Sequence, residues 1–160
     1  MYGDAALISL IVATPIAVAV AISDLRTMEI PNWLTGGAAV IFLALVFALL
    51  PLEAALWRVA GAGLVFVACV ALFFMGAMGG GDAKAAPGFA LLVAPNDAAV
   101  VLLLLSIVAL VGVVVIALLR RTALGRGSWK VWSEVGRFPY GLALASTILI
   151  YLALAAFLIP

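Results

Sequence analysis

Long apolar runs separated by short polar loops constrain this chain more than any other feature of its sequence. Stretches without a charged residue cover residues 5–22, 33–50, 59–78, 98–119 and 140–159, and a shorter one covers residues 85–94. A membrane-spanning helix needs about 20 apolar residues. Of the 160 residues, 69% are hydrophobic and 9% are charged, which excludes an ordinary soluble enzyme. We expect an all-α polytopic membrane helix bundle of about six membrane segments, the fourth short or broken, with residues 1–160 forming a single integral membrane domain.

The basic residues predict how these segments are oriented, because short loops rich in Lys and Arg stay on the cytoplasmic side. If residues 85–94 cross the membrane, every basic residue except Arg58 lies on that side and both termini lie outside. If this piece is re-entrant, Arg26 and Lys84 lie opposite the basic cluster of residues 120–137, and the bias weakens. We therefore expect the crossing arrangement.

The short fourth segment predicts a cleft. Ten helical residues rise only about 15 Å, whereas the hydrocarbon core is about 30 Å thick. Irregular backbone at membrane depth is tolerated where it is buried in protein or lines a wet cavity. We expect residues 79–96 to border an internal, water-accessible cleft.

The polar stretch of residues 120–138 has two interpretations. It suits a short helix at the membrane surface, with Trp129 and Trp132 on one face. It equally suits a basic cytoplasmic loop with tryptophans at headgroup level. Neither interpretation makes it catalytic.

Missing residue types narrow the chemistry. The chain has no histidine and a single cysteine, Cys69, so a Ser-His-Asp triad, a Cys-His pair and histidine or multi-cysteine metal sites are excluded. Cys69 lies within an apolar run and is predicted to be a small buried residue. We expect no metal and no cofactor, and the net charge of +1 argues against a nucleic-acid partner. Any catalysis must rest on carboxylates, lysine, hydroxyl groups or backbone.

Seven carboxylates remain as candidates. Asp97 is expected to cap a helix, and Glu53 to cap one or to pair with Arg58. Structural roles as caps, ion-pair partners or solvated charges suit five of the seven: Asp4, Glu29, Glu53, Asp97 and Glu134. Asp24 and Asp82 differ, because Asp24 ends the first span, where its charge opposes the helix dipole, and Asp82 closes a run of three glycines.

The predicted topology brings Asp24 and Asp82 to the same membrane face at similar depth. Two aspartates held together share a proton, so that one can activate a water and the other can protonate a carbonyl oxygen. Spacing alone leaves a second interpretation open, in which the two are unrelated capping or ion-pair residues.

The motifs around these aspartates resemble those of the type IV prepilin peptidases, which are GxGD-type intramembrane aspartic peptidases. Asp24 is followed by an Ile-Pro-Asn sequence, the Gly-Gly-Gly-Asp sequence matches GxGD with a lysine shortly after it, and a Pro-Tyr-Gly sequence opens the last span. The residues in these motifs are Asp24, Arg26, Ile30, Pro31, Asn32, Gly79, Gly81, Asp82, Lys84, Pro139 and Tyr140.

The resemblance implies an aspartic endopeptidase of the bacterial inner (cytoplasmic) membrane. Such enzymes cleave the basic leader from prepilins or pseudopilins at the cytoplasmic face, and their catalytic aspartates correspond to Asp24 and Asp82. The chain is similar to the small form found in tight-adherence (Flp) pilus systems. Larger members also methylate the pilin and carry a cysteine-rich domain. We expect no soluble cysteine-rich zinc domain here, and the single cysteine places methyltransferase activity in doubt.

The supporting residues have less specific predictions. Lys84 and Arg26 would tune an aspartate or contact acidic groups of the substrate, or they would simply snorkel to the membrane surface. Pro31 and Asn32 are expected to shape the turn into the second span, with Asn32 as its N-cap.

Two functions of other classes use the same acidic pair. A channel or transporter would employ Asp24 and Asp82 as ion ligands near a broken helix. An inactive assembly subunit would bind pilins without cleaving them.

Overall fold

The computed structural model describes residues 3–122, 127–134 and 136–158, and these ranges contain helices but no strand. Five helices are long and apolar enough to cross a membrane, the fourth of them counted together with a 3₁₀ turn at Pro95–Asp97. The predicted all-α polytopic bundle is therefore confirmed. In chain order the helices are α1 (Gly3–Thr27), α2 (Asn32–Leu49), α3 (Leu52–Phe74), α4 (Gly80–Ala90), α5 (Ala98–Leu119), α6 (Lys130–Ser133) and α7 (Tyr140–Phe157).

Two helices extend beyond their apolar runs, because polar residues continue the helix. α1 extends to Thr27 rather than to residue 22, and α3 starts at Leu52 rather than at residue 59, with Glu53 in its first turn. Pro51 is the N-cap of α3, and proline is well suited to a helix start because its φ is already helical. The predicted end of the last span at residue 159 and the basic Arg126 lie outside the described residues.

α4 is the short fourth segment that the sequence predicts. Its 11 residues rise about 16 Å, and it packs against α2, α3 and α7. Non-helical residues 91–94 and the 3₁₀ turn then carry the chain to the start of α5. Segment four thus connects the two ends of the bundle although its helix is too short to do so alone.

The backbone that follows α4 is buried, and a buried arginine satisfies it. Arg58, on α3, is 3% exposed, and its Nη1 donates to the carbonyl oxygens of Leu91 and Leu92. An unsatisfied buried carbonyl would cost about 1–3 kcal/mol. Glu53 was a predicted partner of Arg58, but the guanidinium bonds to these carbonyls instead.

Small residues bring α1 and α7 together. Ala13 and Ala17 of α1 are fully buried, and Ala143 and Ala145 of α7 are at most 2% exposed. Small side chains let membrane helices approach closely. Because of this close approach, the last turn of α1 lies beside the first turn of α7. On α3, Cys69 is buried against α4, as predicted.

The polar stretch after α5 folds back onto α1. The short helix of the first interpretation is present, although α6 has only four residues. Its Val131 is fully buried, and Arg120 at the end of α5 donates from Nε and Nη2 to the Val131 carbonyl oxygen. Polar residues of this stretch therefore have a fixed place against the end of α1.

Candidate active site

Asp24 lies at the junction of α1 and α7. Its side chain is in the last turn of α1 and is 4% exposed. Its Oδ2 accepts a hydrogen bond of 3.2 Å from the backbone N–H of Leu142, in the first turn of α7. The first N–H groups of a helix lack intrahelical partners, and a carboxylate there is favourable. The aspartate that opposes the dipole of its own helix thus complements the dipole of another.

Gly141 makes this contact possible. A β-carbon at Gly141 would lie 2.9 Å from Asp24 Oδ2 and 2.8 Å from Ile30 Cδ1, closer than real side-chain contacts allow. The Gly141 N–H also approaches the carboxyl groups of both Asp24 and Asp82. The Pro-Tyr-Gly sequence was singled out for Pro139 and Tyr140, but its glycine is the residue at the site.

Asp82 enters the site from the first turn of α4. A β-carbon at Gly79, the first glycine of the Gly-Gly-Gly-Asp sequence, would lie 2.9 Å from Asp82 Oδ2. Burial, followed by the nearby Asp24 carboxyl, raises the pKa of Asp82 to about 7, while the Gly141 N–H opposes this shift. The Asp82 carboxyl is therefore poised to carry a proton near neutral pH.

Ile30 fills the space between the two aspartate-bearing regions. It is 6% exposed. Its backbone nitrogen lies 3.2 Å from where a β-carbon of Gly81 would be, and its Cδ1 faces Gly141. Glycines on both sides of Ile30 allow this packing, which ties the Ile-Pro-Asn turn to the starts of α4 and α7.

The turn before Ile30 is held by side-chain hydrogen bonds. Met28 adopts a positive φ of 54°, which is uncommon for a residue other than glycine. Ser23 Oγ and Thr27 Oγ1 both donate to the Glu29 carbonyl oxygen, over 2.9 and 3.1 Å. These bonds fix the chain reversal between α1 and α2 directly beside Asp24.

Asp24 and Asp82 line one cavity of about 650 Å³. Two ion pairs also belong to its wall: Lys130 Nζ lies 4.0 Å from Glu29 Oε1, and Arg137 Nη1 lies 3.1 Å from Glu134 Oε2. The remaining lining comes from the α1–α2 turn and the glycine run: Ser23, Thr27, Met28, Ile30, Pro31, Asn32, Gly79, Gly80 and Gly81. The glycine-rich segment thus borders a cleft.

The charged wall residues were not predicted to belong to the site. Lys130, Glu134 and Arg137 were interpreted only as part of a short surface helix or a basic loop. Their place depends on the fold-back of α6, through Arg120 and Val131, and no local sequence pattern reveals that contact.

Lys84 joins two of the predicted motifs. Its Nζ donates to Asn32 Oδ1 over 2.9 Å. The prediction that Asn32 is the N-cap of the second span is wrong, because Pro31 occupies that position and no side chain caps α2. The amide of Asn32 binds Lys84 instead.

The remaining predicted residues lie beside the cavity rather than in its wall. Arg26 is exposed, and its guanidinium lies over the Trp129 ring, 5.8 Å from the centroid. Pro139 is the fully buried N-cap of α7. Tyr140 is 44% exposed and packs edge-on against Phe138. Pro139 and Tyr140 thus set the start of α7, whose next two residues meet Asp24.

The donor set favours acid–base chemistry. Among the described residues, no three acidic or cysteine side chains are grouped closely enough to hold a metal ion. Two neighbouring carboxyl groups, one of them protonated near neutral pH, can instead share the activation of a water molecule and the protonation of a carbonyl oxygen.

The chain was compared with family models, curated proteins and solved structures. Residues 11–118 match the model of the type IV leader peptidase family. That match contains Asp24, the Ile-Pro-Asn turn, Asp82 and Lys84, and it ends before Pro139. The comparisons with curated proteins and with solved structures gave no match. Because the matched segment covers well over half of the sequence, this membrane protein belongs to the type IV leader peptidase family.

Proposed function

We propose that the protein is an aspartic endopeptidase that removes the basic leader from prepilins or pseudopilins. The observation that carries the proposal is the convergence of Asp24 and Asp82, from different helices, on one cavity beside the N–H groups that start α7. Family membership supports peptidase chemistry, and the two carboxyl groups supply a way to perform it without histidine or a cysteine nucleophile.

The two aspartates have different environments and therefore different proposed roles. Asp24 accepts the Leu142 N–H and acts as the carboxylate that takes a proton from water. The resulting hydroxide oxygen bonds to the scissile carbonyl carbon, while Asp82 transfers its proton to the carbonyl oxygen. Asp24 then passes its proton to the leaving nitrogen, the C–N bond breaks, and the returning hydroxyl proton restores Asp82. Water is the only co-reactant consumed, and both carboxyl groups return to their starting protonation states.

The architecture also suits the proposed substrate. A prepilin has a basic leader followed by a long apolar helix, and that helix can lie in the bilayer beside the bundle while the cleavage site enters the cavity. The positive-inside rule supports a cytoplasmic location for the cavity end, because Lys84, Arg120, Lys130 and Arg137 belong to that end.

Processing of a co-expressed prepilin tests the proposal. Asp24→Asn and Asp82→Asn should each abolish cleavage, because an amide serves neither as a base nor as an acid. The double variant should be little worse than either single one, since the pair acts as a unit. Glu53→Gln, at an exposed carboxylate of α3, is the matched control and should cleave normally.

The same assay separates the alternatives. Wild-type protein that binds the prepilin but leaves it intact would indicate an assembly subunit, and ion flux without cleavage would indicate a channel or transporter. Substantial cleavage by both aspartate variants would overturn the aspartic mechanism while leaving the family assignment intact.

A further inference from the structure

A polar cluster lies at the end of α4 that is remote from the cavity. We call Arg58, Tyr151 and Asp97 the far-end cluster. Arg58 bonds to the carbonyl oxygens of Leu91 and Leu92. The Tyr151 hydroxyl donates to Asp97 Oδ2 over 2.8 Å and accepts the N–H of Ala94 over 3.2 Å. The cluster therefore holds the backbone that follows α4 from both sides.

Two of the attached helices also carry the aspartate site. α4 has Asp82 in its first turn and the Arg58 contacts just past its last turn. α7 holds Asp24 through Leu142 and presents Tyr151 further along. The far-end cluster thus holds the chain just past the last turn of α4, whose first turn carries Asp82, and it contacts α7, whose first turn binds Asp24.

The packing around α4 is close but is made mostly by small side chains. The buried residues of this helix are mostly small: Ala83, Ala85, Ala86 and Gly88, with Phe89 as the exception. Small residues give a smooth helix surface that permits close approach but offers few interlocking side chains. Directional hydrogen bonds at the ends of α4 are better suited to set the position of this helix along its axis. Lys84 supplies one of these bonds near the cavity.

We propose that Arg58, acting with Tyr151, is a positioning residue that sets the depth of Asp82 relative to Asp24 by anchoring the end of α4 against α3 and α7. This inference deepens the proposed aspartic peptidase function and rests on it. Arginine suits the task because its planar guanidinium can donate to two carbonyl groups at once, whereas lysine provides a point charge on a flexible stem. The positive charge also complements the negative end of the α4 dipole.

Steady-state cleavage of a prepilin by purified full-length protein tests the effect on catalysis. Arg58→Met should lower kcat at least about tenfold with little change in KM, because small misplacements of reacting groups are costly. Arg58→Lys should recover part of the loss. Arg121→Met, the same change at an exposed arginine, is the control and should match the wild type. A raised KM with unchanged kcat would contradict the positioning role.

Cross-linking tests the geometry independently of activity and of the proposed function. In a Cys69→Ala background, Asp24→Cys and Asp82→Cys form a pair whose oxidation in membranes reports how closely α1 and α4 meet. Adding Arg58→Met should slow cross-linking at least about fivefold. Tyr151→Phe, which removes one oxygen and preserves the ring, should slow it as well and serves if Arg58→Met does not fold. Equal cross-linking with and without these changes would overturn the inference even if the protein proves to be a peptidase.

Discussion

The Asp24 carboxyl occupies the space that a side chain on Gly141 would need, with Oδ2 2.9 Å from the position of the missing β-carbon. The two residues are far apart in sequence, and their contact combines a steric gap with the Leu142 hydrogen bond. The N–H groups of Gly141 and Leu142 have no acceptor within α7, because they lie in its first turn. The missing side chain at Gly141 lets the carboxylate reach this helix N-terminus.

Gly141→Ala should therefore abolish activity. The added methyl group collides with Asp24 and with Ile30 Cδ1, so the carboxyl must move away from Leu142, and we expect cleavage to fall at least about 100-fold. Prepilin processing, normalised to the amount of inserted protein, measures the effect.

Gly61→Ala is the matched control for this change. Gly61 also lies in a spanning helix, and nothing is within 4 Å of its β-position. It should cleave like the wild type. Normal processing by Gly141→Ala would show that Asp24 does not need the contact seen here.

The rate of cleavage should fall as the pH rises through about 7. Burial and the neighbouring Asp24 carboxyl raise the pKa of Asp82 to about 7, so this residue holds its proton below that pH and loses it above. The mechanism needs one protonated carboxyl. On the alkaline side, kcat/KM should therefore drop about tenfold per pH unit. A pH–rate profile of the detergent-solubilised protein measures this limb.

In the pH–rate experiment, the effect of Asp82 must be distinguished from that of the groups near it. Cys69 of α3 lies nearby, and Glu29, Lys130, Glu134 and Arg137 line the same cavity. If Asp82 causes the alkaline limb, the limb should persist in Cys69→Ala, Glu29→Gln and Glu134→Gln, with at most a small shift of its midpoint from the lost charge. A limb that disappears in one of these variants would assign it to that residue.

Sequence patterns predicted the spans and singled out Asp24 and Asp82, which line one cavity, because both features leave local signals. Apolar runs of membrane length predicted the five long helices, and the glycine run marked the start of α4. The contact of Asp24 with Leu142 joins residues 118 positions apart, so it and the neighbouring contact with Gly141 follow from the packing of α1 on α7. No nearby residues could reveal them.

Asp97 illustrates how tertiary structure overrides a local prediction. It was expected to cap α5, and it does occupy the N-cap position, but its side chain makes no capping bond. Its Oδ2 accepts the Tyr151 hydroxyl instead. A helix start is visible in sequence, whereas a competing donor on another helix is not.

Activity should survive strong chelators. The proposed mechanism needs two carboxyl groups and a water, and the described residues near the cavity offer no grouping of three metal-binding side chains. Prepilin cleavage assayed before and after prolonged chelation should give equal rates. Loss of cleavage that one added divalent cation restores would contradict the water-activating pair.

Reporter fusions should place the cavity end in the cytoplasm. A reporter fused after Arg121 should be active as a cytoplasmic marker, and one fused after Leu52 as an external marker, because all basic residues except Arg58 lie toward the Arg121 end if segment four crosses. An external signal at Arg121 would mean that α4 and residues 91–97 do not carry the chain across the membrane.

The hydrogen bond between Lys84 and Asn32 should be measurable as a coupling energy. Lys84 Nζ lies 2.9 Å from Asn32 Oδ1 and links the first turns of α4 and α2. Lys84→Met and Asn32→Ala should each lower the free energy of unfolding, and the double variant should lose less than the sum, with a coupling of about 1 kcal/mol. Unfolding in detergent at several denaturant concentrations gives the four values of the cycle. Asn32→Ala combined with Arg121→Met should be additive, because Asn32 is in α2 and Arg121 follows α5. Additivity in the Lys84 cycle as well would mean that the bond does not join the two motifs in the folded protein.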